Sequence, residues 1–220
     1  MWDYGYISQR PAYPAAPAGP ISVEEQLRVL AEKHGIHPNF PDFVDYLCRE
    51  FGREYVEANP YNVILTALGG KRKILDEWQP CSDLLLLIDT EDFECAERYE
   101  ELLADLSRIA YGGFPLQNLQ INWDVKHKKI KNGVGISYDI WGKHEEHMIY
   151  KSDGWFYPWL ISHLNTVIHA AKRSGSFFLS APDQTVLLYF GSDEQVKMLN
   201  HLTPLPPFQR NAWGAVVMPW

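Results

Sequence analysis

The chain has 220 residues, 46% of them hydrophobic and 14% aromatic, with a formal net charge of −8. That length and apolar share suffice for a sizeable core and exclude a disordered polar chain. No apolar run approaches the roughly 18 to 20 residues that span a bilayer, and the start carries no signal-peptide h-region, so a soluble, cytoplasmic protein is expected.

Residues 1–20 hold Pro11, Pro14, Pro17 and Pro20, which block helix and ladder alike and predict an extended or disordered arm bearing Trp2, Tyr4, Tyr6 and Tyr13. Ser22 and Glu25 have capping-box spacing, and Leu27, Leu30 and Ala31 recur at helical spacing until Gly35. Pro41 suits the first turn of a second helix with the stripe Phe43, Val44, Leu47, Cys48 and Phe51. Tyr61–Leu68 reads as a third, shorter helix stopped by Gly69-Gly70, so residues 21–70 form a helical subdomain.

Asp83–Ile88 reads as a buried strand. Thr90 is placed to cap the next helix, with Glu91 and Asp92 in its first turn. The stripe of that helix is Phe93, Ala96, Tyr99, Leu102, Leu103, Leu106 and Ile109, closed by Gly112-Gly113. Residues 119–125 alternate with period two, and Asn132-Gly133 signals a hairpin turn before the run Val134, Ile136, Tyr138, Ile140. A third strand follows Gly142 at Glu146–Tyr150. Asp153 is placed to cap a helix from Trp155 to Arg173, ended by Gly175. Phe177–Ser180 and Thr185–Phe190 make a hairpin across Pro182-Asp183, and Ser192 opens a last helix that Pro204–Pro207 ends. Residues 203–220 are a Pro/Trp-containing C-terminal segment. Residues 80–202 thus read β-α-β-β-β-α-β-β-α. The expected class is α+β, a mostly antiparallel sheet with helices packed mainly on one face, preceded by the helical subdomain.

Charge is distributed unevenly. Residues 1–110 hold ten Lys/Arg and twenty Asp/Glu, and residues 111–220 hold ten and eight, so the net charge divides into −10 and +2. Between Asp76 and Asp105 eleven carboxylates accompany one basic residue, Arg98. Such a surface repels nucleic acid and anionic membrane and steers basic partners toward itself.

Catalytic and cofactor motifs are weak. His144 and His147 are spaced i,i+3 in a segment read as a turn between strands, and in a strand they would point to opposite faces. His163 and His169, six apart on one helix, do not converge on one ion. Gly69-Gly70-Lys71-Arg72-Lys73 lacks the P-loop pattern. Lys126, His127, Lys128, Lys129 and Lys131 read as a solvated basic turn, or as a charge partner for the acidic helix. Asp89, Asp92 and Asp183 stand at strand ends where carboxylates can bind Mg²⁺, which keeps a metal-dependent hydrolase as an alternative. The same letters also suit a helix cap. Cys48, Cys81 and Cys95 lack CxxC spacing and read as free thiols of a reducing compartment. No metal, cofactor or catalytic residue is assigned.

From Asp153 onward, residues 153–200 carry Trp155-Phe156, then Leu164-Asn165 in the same helix, an aromatic strand, and Asp183-Gln184-Thr185 leading into another strand. This rhythm resembles small α+β immunity proteins encoded beside bacterial polymorphic toxins. The resemblance implies a non-enzymatic inhibitor that occludes a basic partner such as a cognate toxin, without nucleic acid or membrane. The expected contact residues are Glu94, Glu97, Glu100, Glu101 and Asp105, with exposed aromatics adding affinity. The oligomeric state is open. A phage or assembly subunit, using residues 1–20 as an arm, is a third reading.

Overall fold

A computed structural model describes residues 19–127, 130–150, 154–181, 184–203 and 205–210. The expectation for residues 1–18 therefore lies outside the described residues. Four helices come first: α1 (Val23–His34), α2 (Phe43–Phe51), α3 (Arg53–Ala58) and α4 (Asn62–Gly69). A hairpin of β1 (Lys71–Ile74) and β2 (Glu77–Pro80) follows. Then come β3 (Leu85–Asp89), α5 (Ala96–Ile109), β4 (Gln117–His127), β5 (Ile130–Ile140), β6 (Lys143–Tyr150), α6 (Trp159–Ala170), β7 (Ser176–Ser180), β8 (Thr185–Gly191) and α7 (Asp193–Leu202). The class is α+β with a helical N-terminal region, and from β3 onward the order is the one the sequence implies.

The strands form three antiparallel sheets: β1-β2, the central β3-β8-β7, and the meander β4-β5-β6. Period-two geometry sends alternate residues of the central sheet to opposite faces. Leu86, Leu188, Val186, Phe177 and Leu179 join a core with α5, α6 and the meander. Leu85, Leu187, Tyr189 and Phe178 join a second core with α1–α4 and α7. Residues 21–70 are thus a layer laid on the sheet rather than a part standing apart from it.

Local signals explain most element ends. The Ser22 hydroxyl accepts from the Glu25 amide at 3.2 Å, and Gly35 closes α1 at φ +66°, a conformation that suits glycine. Ser192 and Gln195 form a reciprocal capping box at α7. Beyond α7, Gln209 exchanges two backbone bonds with Leu179, both 2.9 Å, so the C-terminal segment covers part of the outer edge of β7.

Several expectations are corrected. Asn132-Gly133 lies inside β5, and the β4-β5 pairing runs to His127 opposite Ile130. The register that keeps Val134, Ile136, Tyr138 and Ile140 buried fixes that position. The His144–His147 segment belongs to strand β6, not to a turn. The β5-β6 turn is Trp141-Gly142, both at positive φ, between the paired Ile140 and Lys143. Helix α6 begins at Trp159, not Trp155, because a proline disfavours helical backbone in the residue before it and Pro158 stands at the N-cap. Asp153, expected as its cap, lies outside the described residues. The β1-β2 hairpin was not anticipated, nor was α3. Its turn, Leu75-Asp76, takes positive φ at both residues (48° and 67°) without the Asn or Gly that usually announces it.

Candidate functional site

The stretch 89–97 is built differently from the expected helix cap. The Thr90 hydroxyl donates to the Gln184 carbonyl at 2.6 Å, and the Thr90 amide donates to the same oxygen at 3.0 Å. Thr90 therefore ties β3 to the start of β8 and caps nothing. The chain then turns at Thr90-Glu91 and bridges the segment after residue 153: the Phe93 amide donates to the Gly154 carbonyl at 2.8 Å, and the Phe156 amide to the Thr90 carbonyl at 2.7 Å. Helix α5 starts only after Cys95. This short pairing seats the acidic segment beside Gly154–Trp159. Gly154 sits at φ +88°, and a Cβ there would lie 3.2 Å from the Glu94 side chain. No larger residue fits that approach without displacing Glu94.

Two tryptophans rise from the neighbouring segment, Trp155 at 48% exposure and Trp159 at 49%. Phe156 between them is buried and stacks on Phe93, with ring centroids 5.2 Å apart. The buried aromatic anchors the segment, and the pairing seats Gly154, the residue before Trp155, against Glu94. Half-exposed indoles on one segment and exposed carboxylates on the segment paired with it have the composition of a protein contact surface.

The expected contact residues divide. Glu94, Glu97, Glu100 and Glu101 are exposed. Glu94 precedes α5, and among the described residues neither it nor Glu100 forms an ion pair. Glu97 lies in the first turn of α5, where its own backbone amide and then Cys95 hold its carboxyl below the usual range. Arg98 pairs with Asp92 and, at 2.6 Å, with Glu101. Asp105 is turned away: its side chain is 17% exposed and bonds Lys71 at 2.7 Å and Arg108 at 3.3 Å. It fastens the β1-β2 hairpin to α5 and is not part of the open face.

Two of the carboxylates named for the hydrolase alternative hold partners within the chain. Asp89 accepts from the Glu91 amide at 2.9 Å, Asp92 is committed to Arg98, and Asp183 lies outside the described residues. Among the described residues no group of three or more His, Cys, Asp or Glu side chains is placed to hold a metal ion. Nor is any helix among them long and apolar enough to cross a membrane. The side chains of Lys126, His127, Lys128, Lys129 and Lys131 lie outside what is described. Cys48, Cys81 and Cys95 are free thiols, and burial pushes the Cys81 thiol upward.

The histidines are arranged as alternation requires. His144 faces out and meets Asp139 at 2.8 Å, with Glu146 at 3.3 Å; these bonds, Asp139 first, raise its pKa. His147 faces in, where it meets His163 of α6 with ring centroids 3.4 Å apart. Sequence spacing separates these two by sixteen positions and gives no sign that they meet. His169 reaches the Ser176 hydroxyl at 2.9 Å.

Comparison with protein-family models, with curated proteins and with solved structures finds no match for this chain.

Proposed function

We propose that this chain is a non-enzymatic binding protein that occludes a basic partner, with a toxin encoded beside it as the best candidate. The observation that carries this reading is the surface at the start of α5, where Glu94, Glu97 and Glu100 are exposed and the segment Gly154–Trp159, whose Gly154 is seated against Glu94, carries the half-exposed Trp155 and Trp159. Carboxylates steer a cationic partner and set its register, and indoles supply the buried contact that slows dissociation. The acidic run between Asp76 and Asp105 and the resemblance to immunity proteins support the same reading. Inhibition would be steric and electrostatic: the partner's Lys and Arg groups, occupied by these carboxylates, are withdrawn from phosphate.

The test is co-purification with the product of the adjacent upstream gene, followed by association kinetics. The variant is Glu94→Lys with Glu100→Lys, two positions without ion pairs among the described residues. Association should slow at least tenfold at low ionic strength, and the difference should shrink as salt screens exposed charges beyond roughly 8 Å. Trp155→Ala should act mainly on dissociation. Unchanged association in the double reversal would reduce the acidic face to a solubilising surface.

A further inference from the structure

We propose that the contact between His147 on β6 and His163 on α6 is an acid-sensitive latch, which at neutral pH holds the first turns of α6, and with them Trp159, against the meander.

The geometry is that of a pair built to be uncharged. The two imidazole centroids lie 3.4 Å apart at 51°, which leaves no room for a water or an anion between them. The Tyr138 hydroxyl meets Nε2 of His147 at 3.0 Å from within the core, where Tyr138 is fully buried. Nε2 of His163 is buried and has no hydrogen-bond partner among the described residues. A proton added to either ring would place a charge against a neighbouring imidazole, and two protons would place like charges in contact.

The groups facing the pair come from three elements. Among the described residues β5 contributes Tyr138, β6 contributes Glu145, and α6 contributes only His163 itself. Glu145 favours a proton on His163, but burial outweighs it and His163 is held below the ordinary histidine range. Burial, and then the neighbouring His163, push His147 down to about 4. The unfolded chain, whose histidines titrate near 6.5, takes up protons that the folded chain resists. The stability this pair confers is therefore complete above about pH 6.5 and is lost progressively as pH falls toward about 4.

Trp159 is the residue one helical turn before His163, at i,i+4, and so lies on the same side of α6. Opening the latch releases the end of α6 that carries Trp159. The consequence for partner binding rests on the proposed function. The latch itself is read in the free protein, so the two fail separately.

The experiment compares the intact protein with His163→Phe, which keeps a ring in the stack and removes the titrating group and its unpartnered nitrogen. Denaturant unfolding is followed between pH 7.5 and 5. Hydrogen exchange is followed at pH 7 and pH 5, corrected for intrinsic rates. The unfolding constant of the intact protein should rise as pH drops below 6.5, by up to about tenfold per pH unit for each histidine. His163→Phe should show a shallower rise. Exchange at pH 5 should accelerate in Trp159–Val167 and Lys143–Ile149 ahead of the central sheet. Parallel pH curves for the two proteins would overturn the latch, as would acceleration spread evenly over the chain. Should the variant fold poorly, a histidine NMR titration of the intact protein decides: both rings titrating near 6.5 would overturn it, and both well below would support it.

Discussion

Gln26 is a polar side chain with no exposure at all, in a helix whose other polar residues, His34 apart, are not buried. Its Nε2 donates to the Ile21 carbonyl at 2.7 Å and to the Val56 carbonyl at 3.4 Å, while its Oε1 accepts from the Tyr61 amide at 2.7 Å. Tyr61 stands at φ +63° before α4 and has no side-chain cap, so Gln26 supplies what the local sequence does not. Asparagine is used in the same way twice more. Asn165 exchanges two bonds with the backbone of Phe177 at 2.8 and 2.7 Å, and Asn200 exchanges two with Phe208 at 3.1 and 2.8 Å. Gln26→Leu keeps the volume and strands a buried amide and two carbonyls. It should cost about 2 to 3 kcal/mol by denaturant titration, and an unchanged midpoint would mean that water replaces the side chain. Nothing in the sequence marks these three amides, because their partners are backbone groups that only the fold brings to them.

Helix α5 gives the cleanest contrast between its two faces. Tyr99, Leu102, Leu103, Leu106 and Ile109 are buried, as the 3.6-residue period implies. Leu103→Ala should destabilise by about 2 to 5 kcal/mol, whereas Glu100→Lys should leave the unfolding midpoint in place. Similar losses from both would show that the outer face is packed. The stripe was legible because one side of this helix is wet and the other dry. Its start was not, because Thr90, Glu91 and Asp92 have the composition of a helix cap, whereas Thr90 bonds to Gln184 and Phe156, Glu91 to Asp89, and Asp92 to Arg98. The β1-β2 hairpin escaped notice for a related reason: Leu75, 95% exposed, and Asp76 occupy a turn that favours Asn and Gly. The proposed contact surface was half legible. Charge density along the chain pointed to Glu94, Glu97 and Glu100, but the seating of Gly154, and so of the segment carrying Trp155, against Glu94 depends on backbone pairing between segments about sixty residues apart, which periodicity cannot reveal.

At the scale of the whole molecule the central sheet is a wall between two cores. The runs Leu84-Leu85-Leu86-Leu87-Ile88 and Phe177-Phe178-Leu179 have no polar alternation because neither face of their strands is wet. For that reason sequence reasoning recognised buried strands and could not say what covers each side. One consequence concerns how substitutions combine. Leu187 and Leu188 are consecutive, both without exposure, yet Leu187 belongs to the core of α1–α4 and α7 and Leu188 to the core of α5 and α6. Leu187→Ala and Leu188→Ala should therefore add to within about 0.5 kcal/mol in the double variant, as separated sites do. Leu188→Ala with Leu86→Ala, cross-strand neighbours in one core, should depart from additivity by more. Strong coupling between Leu187 and Leu188 would mean that the wall transmits strain. If it does not, adjacent letters of β8 answer to different sets of neighbours, and each core is free to drift in composition without compensation from the other.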